Sequence, residues 1–333
     1  MAGEFGTVFL PQMIRADYLD GAWSAPSLVP SDVLTLHPGA HVFHYASTCF
    51  EGLKAFRQAD GGVALFRIGM NVARFAQSSA LLHLPPIDVD MTTAMILEAV
   101  RHYADEVPEP PASLYLRPTH IGTEAAIGKA AAPSNRSMQF VLLSPVGDYF
   151  AGGEPNLRVL IETEQLRCGP DHGMVKGGGN YASALKHMVA ARRDHAADQV
   201  LYCPDGGAQE TGAANFVLVE GGELVTRALD ASFLHGITRA SLLQLARDAG
   251  LRVSERELGI DELLERAGRP DAEAGLTGTA AVVAPVGTLI HAGREHAVGT
   301  GQPGPVLRGL RDALNAVQWG RAPDVHGWLT RLD

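Results

Sequence analysis

The spacing of apolar and polar positions predicts alternating strands and helices in the first part of the chain. In residues 91–103 an apolar side chain recurs at every fourth position, which places these side chains on one face of a helix. Short runs rich in apolar residues, typical of strands, occupy residues 63–66, 113–116 and 139–143. The pattern therefore predicts an α/β or α+β arrangement.

The second part of the chain is predicted to be richer in strands. Several of its apolar runs follow one another too closely for a helix to lie between them. These predicted strands are residues 157–161, 199–203, 216–219 and 224–226, with helices at residues 181–193 and 238–249. The turn-forming sequence Ala-Gly-Gly-Glu-Pro at residues 151–155 separates the two parts.

The length of the chain and the turn-forming sequence at residues 151–155 together predict two domains. The chain has 333 residues, more than the roughly 250–300 residues that one hydrophobic core organises. We expect a first domain at residues 1–151 and a second domain at residues 165–333. An interdomain linker is expected at residues 152–164.

Charge and cysteine content narrow the class of partner. The net charge is −10, from 27 basic and 37 acidic residues, and no basic run stands out, so nucleic acid and anionic membranes are disfavoured as partners and a small molecule is favoured. No apolar run approaches the roughly 20 residues of a membrane span, and the first ten residues lack a signal-peptide pattern. Three widely spaced cysteines, Cys49, Cys168 and Cys203, argue against a disulfide framework and fit the cytoplasm.

A metal site is not expected. His37, His41 and His44 lie close together, but Pro38 and Gly39 interrupt any helix that would align them, and no cysteine or carboxylate cluster accompanies them.

Lys176 is the strongest candidate for chemistry. It precedes three consecutive glycines, residues 177–179, and glycine lets a backbone pass close to a bulky ligand. An amine held in such a place can form a Schiff base with an aldehyde. The alternative from this stretch alone is a flexible surface loop that happens to contain a lysine.

Three further positions could bind a charged ligand. Gly236 opens a helical run, so the N–H groups of Ile237 and Thr238 could bind an anion, although an ordinary capped helix start fits equally well. Glu210, just before a predicted strand, could keep a pyridine nitrogen protonated, and Arg74 could bind a phosphate. By default both would be solvated surface side chains. No P-loop or dinucleotide fingerprint is present.

Several motifs, taken in order, resemble the branched-chain amino acid aminotransferases, which are pyridoxal-phosphate enzymes of fold type IV. The motifs are Phe-Glu-Gly-Leu-Lys-Ala-Phe-Arg at residues 50–57, Leu-Tyr-Leu-Arg-Pro-Thr-His-Ile-Gly-Thr-Glu at 114–124, Lys-Gly-Gly-Gly-Asn-Tyr at 176–181, Gly-Ile-Thr-Arg at 236–239 and Gly-Thr-Ala-Ala at 278–281. The likeness extends over essentially the whole chain. It implies a small N-terminal α/β domain, a larger C-terminal pseudo-barrel domain with pyridoxal 5'-phosphate between them, and a homodimer.

The resemblance also implies a role for each matching residue. Lys176 matches the lysine that forms the internal aldimine and then carries the proton. Tyr181 matches the partner of the cofactor's phenolic oxygen, and Glu210 matches the partner of its ring nitrogen. The implied cofactor-binding set is Arg74, Lys176, Tyr181, Glu210, Ile237, Thr238 and Thr279.

The implied substrate pocket is apolar and ringed by aromatic side chains. Arg117 matches the arginine that receives the side-chain carboxylate of glutamate, and Thr279 with Ala280 matches the turn for the substrate α-carboxylate. The aromatic wall is formed by Phe9, Tyr45, Phe50, Tyr115 and Tyr149. The implied reaction is a ping-pong transamination between leucine, isoleucine or valine and 2-oxoglutarate.

Departures from the family pattern leave the substrate open. The loop at residues 169–174 is one residue shorter and differently charged, Ala213 and Ala214 replace a Thr-Met pair, and Lys129 replaces an aliphatic residue. A specialised aminotransferase for an unusual or polar amino acid is therefore the main alternative. Aminodeoxychorismate lyase-like or D-amino acid enzymes, and a non-catalytic binding protein, are less favoured because residues 115–117, Lys176 and Glu210 are retained.

Overall fold

The computed structural model describes residues 5–332, in which strands and helices alternate in both halves of the chain. The α-helices are α1 (His41–Tyr45), α2 (Ile68–Leu81), α3 (Val89–His102), α4 (Gly178–His195), α5 (Ile237–Asp248), α6 (Ile260–Ala267) and α7 (Pro305–Gln318). Short 3₁₀ turns lie at Ala104–Glu106 and Pro170–His172. The mixed α/β prediction is confirmed.

Two sheets contain the strands. The first has nine strands, in the order β17-β6-β5-β7-β8-β1-β2, with β3 added to β1 and β4 added to β7. Its strands are β1 (Gln12–Leu19), β2 (Ala22–Trp23), β3 (Ser27–Pro30), β4 (Thr48–Phe50), β5 (Leu53–Arg57), β6 (Val63–Phe66), β7 (Ser113–Gly122), β8 (Ser137–Val146) and β17 (Leu329–Arg331). All of these pairings are antiparallel.

The second sheet has eight strands in the order β10-β9-β15-β14-β11-β12-β13, with β16 added to β15. Its strands are β9 (Leu157–Glu162), β10 (Gln199–Tyr202), β11 (Asn215–Glu220), β12 (Glu223–Thr226), β13 (Arg252–Glu255), β14 (Glu273–Gly278), β15 (Val282–His291) and β16 (Arg294–Ala297). It mixes parallel pairs, such as β9 with β10, and antiparallel pairs, such as β11 with β14.

The chain divides into two units. The first unit contains residues 5–149, 175–179 and 317–332, and the second contains residues 150–174 and 180–316. These boundaries differ from the predicted ones because strand pairing recruits distant segments. β17, near the end of the chain, pairs with β6, and Gly177 pairs with Cys49.

The predicted linker also contains regular structure. Residues 152–164 include β9, which lies in the interior of the second sheet between β10 and β15. Its sequence, Leu-Arg-Val-Leu-Ile-Glu, buries Val159 and Ile161 in the core of the second unit, and a buried strand is more stable there than an exposed connection.

The core of the first unit lies between its sheet and the helices α2 and α3. The four-residue spacing predicted for residues 91–103 is confirmed, since α3 buries Met95 and Ala99 on one face. Asp88 caps this helix, because its carboxylate accepts the Met91 N–H at 2.9 Å. The core residues from the sheet include Leu53, Leu65, Leu114 and Leu116.

The core of the second unit is built from β9, β11, β14 and β15, with α6 packed against them. Val159, Phe216, Leu218, Leu276 and Leu289 are buried in it. Within residues 5–332, no helix combines the length and apolar character needed to cross a bilayer.

Candidate active site

Lys176 is held through its backbone by two elements of the first unit. Its carbonyl oxygen accepts the N–H of Phe50, from β4, at 2.9 Å. Its N–H donates to Ser78 Oγ, from α2, at 3.1 Å. The ammonium group lies 5.0 Å from the centre of the Phe50 ring. The side chain is half-buried. The backbone of Lys176 is therefore fixed, and the protein surrounds part of the side chain.

Gly177 explains why glycine follows the lysine. A Cβ at this position would lie 3.1 Å from the carbonyl oxygen of Thr48 and 3.1 Å from Val175 Cγ1, which is tighter than ordinary contact. The next two glycines begin α4 rather than a flexible loop. The glycine run therefore lets the chain pass close to β4 and then enter a helix.

Glu51 and Arg74 form a buried ion pair in the first unit. Arg74 donates from Nε and Nη2 to the two carboxylate oxygens at 2.7 and 2.8 Å, and Asn71 Nδ2 donates at 2.8 Å. Burial would raise the pKa of Glu51, but the Arg74 charge and its hydrogen bonds, the Lys176 charge and Asn71 outweigh it and hold that pKa below its usual value. The Arg74 guanidinium is consequently fixed in one orientation.

Two aromatic rings surround Arg117, the predicted substrate-recognition arginine. Its guanidinium carbon lies 4.6 Å from the centre of the Phe50 ring and 5.3 Å from that of Tyr115. It also donates to the Tyr115 hydroxyl from Nη2 at 3.0 Å. Since Lys176 contacts the same Phe50 ring, these four predicted residues lie together.

Gly52 makes room for the Tyr115 hydroxyl. A Cβ on Gly52 would lie 2.2 Å from Tyr115 Oη, so any other residue there would displace the tyrosine. Phe5 packs edge-on against the Tyr115 ring at 5.0 Å between centroids. Tyr115 thereby has a fixed position in the aromatic wall.

The other predicted wall residues lie in more open positions. Phe9 and Tyr149 each have about half of their surface exposed, at 51% and 50%. Tyr45 is half-buried, and its hydroxyl donates to the carbonyl oxygen of Ile127. The contacts of Arg117 described above are thus with Phe50 and Tyr115.

Lys129 is committed to an ion pair with Glu124. This carboxylate also accepts the Asn135 N–H at 3.1 Å. The hydrogen bond from Lys129 is the main cause of a Glu124 pKa below its usual value. Within the described chain, the lysine charge is thus partly neutralised.

Glu210 is buried in the second unit, where its carboxylate has several polar partners. Its Oε1 lies 2.8 Å from Arg167 Nε in a buried ion pair and accepts the Leu234 N–H at 2.8 Å. Its Oε2 accepts from Asn215 Nδ2 at 3.0 Å. A carboxylate fixed in this way can pair with a protonated ring nitrogen.

Asn215, which binds Glu210, also contacts the segment that leads into α5. Asn215 Nδ2 also donates to the Leu234 carbonyl at 2.8 Å, and a Cβ on Gly236 would lie 2.0 Å from Asn215 Oδ1. Ala240 N–H donates to the Gly236 carbonyl, so the N–H groups of Ile237 and Thr238 precede the helical ladder. Such groups can bind an anion with the help of the helix dipole.

The remaining predicted cofactor and substrate positions lie at element ends. Tyr181 is half-buried in the first turn of α4. Thr279 and Ala280 form the half-buried turn between β14 and β15. This turn ends at Val282, whose φ of 62° is an unusual backbone conformation for a β-branched residue. Strain of this kind is common where a backbone is shaped around a ligand.

The loop before Lys176, residues 169–174, is held by specific contacts of the second unit. The Gly173 carbonyl accepts from Arg167 Nη2 at 2.9 Å, and the His172 carbonyl accepts from Asn180 Nδ2 at 2.7 Å. A Cβ on Gly173 would lie 1.9 Å from the Ser232 carbonyl carbon. Asp171 is exposed. These contacts give the loop a fixed path.

Several residues of these sites are absent from the sequence prediction. Glu51 lies inside a recognised motif, so its position could have been noted. Arg167 and Asn215 are single polar residues in sequences with no marked pattern, and only the folded chain places them beside Glu210. Ser78 likewise gives no sequence signal for its bond to Lys176.

Comparison with known proteins identifies the family. Residues 48–289 match the model of the family described as amino-transferase class IV. The chain belongs to the class IV aminotransferases, and its fold agrees with the predicted two-domain fold type IV architecture.

Individual relatives narrow the assignment. The chain is 39% identical to the branched-chain-amino-acid aminotransferase of Mycolicibacterium smegmatis, over 99% of this chain and 92% of that protein. It is 37% identical to branched-chain-amino-acid aminotransferase 2 of Bacillus subtilis, with the same coverage. Within class IV, the chain belongs to the branched-chain amino acid aminotransferase family.

A solved structure agrees with this assignment. The T.th. branched-chain amino acid aminotransferase with pyridoxamine 5'-phosphate has a TM-score of 0.79 and 28% sequence identity to this chain. The alignment covers 96% of this chain and 98% of the chain of that enzyme. The same enzyme complexed with N-(5'-phosphopyridoxyl)-L-glutamate gives a TM-score of 0.76.

Proposed function

We propose that this protein is a pyridoxal 5'-phosphate-dependent transaminase that exchanges the amino group of leucine, isoleucine or valine with 2-oxoglutarate. Family membership supports the reaction class. The observation that carries the proposal further is Glu210, a buried carboxylate placed by Arg167, Asn215 and the Leu234 N–H. A carboxylate so placed suits a protonated pyridine nitrogen.

The donor set fits the cofactor. When bound, pyridoxal phosphate supplies an aldehyde that takes up the amino group and a ring that withdraws electrons from the substrate α-carbon. Arg74 and the N–H groups of Ile237 and Thr238 would hold the phosphate. Glu210 would hold the ring nitrogen, Tyr181 the phenolic oxygen, and Thr279 would complete the cofactor site.

Lys176 supplies the reacting amine. Its Nζ would bond to the cofactor between turnovers. During turnover the free amine would accept the proton from the substrate α-carbon and donate it to the C4′ carbon of the cofactor. The two backbone hydrogen bonds from Phe50 and to Ser78 limit the volume that this group explores. Limited motion of a reacting group increases the fraction of productive encounters.

The substrate pocket would be formed by the aromatic residues and Arg117. Phe50 and Tyr115 present ring faces suited to a branched alkyl chain, whereas Arg117 would receive the second carboxylate of glutamate. Phe9, Tyr45 and Tyr149 would complete the wall, and Thr279 with Ala280 would bind the α-carboxylate. The T.th. enzyme has been solved with a phosphopyridoxyl-glutamate, which supports glutamate as the second substrate.

The experiment is a spectroscopic titration of the purified protein loaded with pyridoxal phosphate. We expect the band of the lysine-bound cofactor to be converted by leucine, isoleucine and valine and restored by 2-oxoglutarate. That restoration, with separate half-reactions, would establish the ping-pong order. Lys176→Ala should abolish the band, while Lys186→Ala, at an exposed lysine on α4, should leave it unchanged.

A specialised substrate is the second candidate, favoured by the altered loop with its exposed Asp171. A panel of polar and unusual amino acids in the same titration separates the two. If none of the three branched-chain amino acids converts the band but a polar one does, the substrate assignment is wrong and the reaction class stands. The pairing of Lys129 with Glu124 argues against a free cation for anionic substrates.

The proposal includes a homodimer. Two large apolar side chains near Lys129, Phe43 and Ile127, are 60% and 68% exposed, and burying them against a second copy would remove that surface from water. Light scattering during size-exclusion chromatography should give twice the mass of one chain. A cytoplasmic location stays a prediction from the sequence.

A further inference from the structure

Three polar side chains are hydrogen-bonded in series in the core of the first unit. Cys49 Sγ lies 3.2 Å from Ser79 Oγ, and Ser79 Oγ lies 3.0 Å from His120 Nδ1. Cys49 and His120 are 0% exposed and Ser79 is 1% exposed. We call this series the Cys49–Ser79–His120 relay. A polar chain in an apolar core is costly unless its hydrogen bonds are made, so its position calls for an explanation.

The relay joins three elements. Cys49, on β4, stands directly opposite His120, on β7, in the antiparallel register, and Ser79 reaches both from α2. The Ser79 hydroxyl can donate one hydrogen bond and accept others, so a single side chain links the helix to two strands. Breaking the relay would remove the hydrogen-bonded link between α2 and the strands β4 and β7.

The relay keeps the same protonation at all ordinary pH values. Burial raises the pKa of the Cys49 thiol to about 12, so the sulfur keeps its proton. Burial lowers the pKa of His120 to about 3, so its ring stays neutral. Neither end of the relay is a titratable switch or a reactive nucleophile near neutrality. Its role is therefore one of position.

Two of the three elements that the relay joins, β4 and α2, also hold Lys176. The residue after Cys49, Phe50, donates its N–H to the Lys176 carbonyl, and the residue before Ser79, Ser78, accepts the Lys176 N–H. Cys49 itself pairs with Gly177. If α2 shifted relative to β4, these contacts could not all be kept.

We propose that Cys49, Ser79 and His120 are positioning residues for Lys176. The relay fixes α2 against β4, and the two elements together hold the lysine backbone and hence the location of Nζ. The consequence for catalysis rests on the proposed function, in which Nζ is the reacting group. Small displacements of a reacting group reduce the rate of chemistry more than they reduce substrate binding.

The main test compares two buried serine hydroxyls. Ser79→Ala removes the centre of the relay. Ser137→Ala is the matched control, because Ser137 is also 0% exposed and its Oγ has no hydrogen-bond partner among residues 5–332. Backbone hydrogen exchange of the cofactor-free protein reports on the peptides that contain Phe50 and Lys176, and steady-state kinetics of the loaded enzyme gives kcat and KM.

For Ser79→Ala we expect exchange at Lys176 to become about tenfold faster and kcat to fall about tenfold, with KM within about twofold of wild type. Ser137→Ala should change none of the three. Uniformly faster exchange in all peptides, or a loss confined to thermal stability, would show that the relay is merely structural and would overturn the proposal.

A second pair of variants tests the proposal even if Ser79→Ala does not fold. Cys49→Ala removes only one end of the relay, whereas Cys49→Ser keeps a donor at the same atom position. We expect Cys49→Ala to speed exchange at Lys176 and lower kcat, and Cys49→Ser to restore both. Equal behaviour of the two variants would contradict the proposal.

The exchange measurement also separates this proposal from the proposed function. If the wild-type protein shows no transamination but exchange at Lys176 still responds to Ser79→Ala, the positioning role stands and the assigned reaction fails. If transamination is normal and exchange does not respond, the reaction stands and the positioning role fails.

Discussion

A buried charge survives in a protein core only with partners, and Glu51 has four polar contacts. Arg74 supplies two of them, Asn71 supplies a third, and the Gly52 N–H supplies a fourth at 3.2 Å. The side chain of Glu51 is 1% exposed and that of Arg74 is 9% exposed. Removing one partner of such a pair leaves the other charge buried and unpaired, which costs more than the pair itself contributes.

Glu51→Gln should therefore destabilise the protein strongly. We expect the free energy of unfolding to fall by about 3–5 kcal/mol, because Arg74 keeps its charge and loses its counter-ion. Urea unfolding measured by fluorescence at pH 7 tests this expectation. The same variant should bind pyridoxal phosphate more weakly, since Arg74 is no longer held in one orientation.

The control is an ion pair of the same unit in which the carboxylate is exposed. Arg57 Nε lies 3.9 Å from Glu109, whose side chain is 80% exposed, so Glu109→Gln should cost no more than about 1 kcal/mol. Equal losses for the two variants would mean that Arg74 finds another partner, and the argument from burial would fail.

At the scale of elements, the loop before Lys176 shows how a segment with little regular structure keeps a fixed path. Residues 170–172 form a turn of 3₁₀ helix. The side chains of Asn180 and Arg167 donate to the carbonyl groups of His172 and Gly173. Gly173 then packs directly against the backbone of Ser232. This contact is with backbone rather than with a flexible side chain, so it cannot be relieved cheaply.

Gly173→Ala should displace the loop. The added Cβ would lie 1.9 Å from the Ser232 carbonyl carbon, and we expect a loss of about 1–3 kcal/mol of stability together with a raised KM for the amino acid. Urea unfolding and steady-state kinetics measure the two effects.

Gly169→Ala is the matched control within the same loop. A Cβ there meets only His172 at ordinary contact distance, 3.8 Å, and its φ of −54° suits any L residue. Its stability should be equal to that of wild type or slightly higher, through reduced freedom of the unfolded chain. A similar loss in both variants would show that the loop tolerates no side chain anywhere.

At the scale of the whole molecule, buried acidic groups make stability depend on pH. Glu223 is an example from the second unit, with Arg266 Nη2 at 2.9 Å and Ser254 Oγ as partners. Burial would raise the pKa of Glu223, but hydrogen bonds from Ser254, Arg252 and Arg266 outweigh it and lower the pKa to about 2. A carboxyl whose folded pKa is depressed stabilises the protein above its unfolded pKa, and this contribution is lost as pH falls toward the folded pKa.

Glu223→Gln should therefore be destabilising at pH 7 and progressively less so in acid. We expect a loss of about 1–3 kcal/mol at pH 7, since Arg266 keeps Glu220 as a second partner. The difference in Tm between variant and wild type should shrink as pH falls from 4.5 toward 2. Calorimetry across this range is the measurement.

Glu98→Gln serves as the control, because this carboxylate lies on the exposed face of α3. Its Tm should match that of wild type at every pH. A Glu223→Gln difference that stays constant down to about pH 3, well below the usual carboxyl pKa, would show that packing, rather than the carboxylate charge, accounts for the loss.

The sequence by itself determined the type and order of the helices α3, α4 and α5 and of the strands β6 to β12. The spacing of apolar side chains in α3 and the apolar runs of β6, β7 and β8 are local patterns, and each element buries the face that its own pattern creates. The five motifs, taken in order along the chain, also indicated the family, because a rare combination of residue types in order carries chemical information that no single motif has.

Only the tertiary structure decided which polar residues meet. The residues of each contact are far apart along the chain, and no local spacing predicts that they meet. The contacts are Arg167 with Glu210, Glu51 with Arg74, and Cys49 with Ser79 and His120. The same holds for β17, which pairs with β6 from the far end of the chain. The physical reason is that apolar periodicity fixes which face of an element is buried, whereas hydrogen bonds and ion pairs depend on which elements the folded core places side by side.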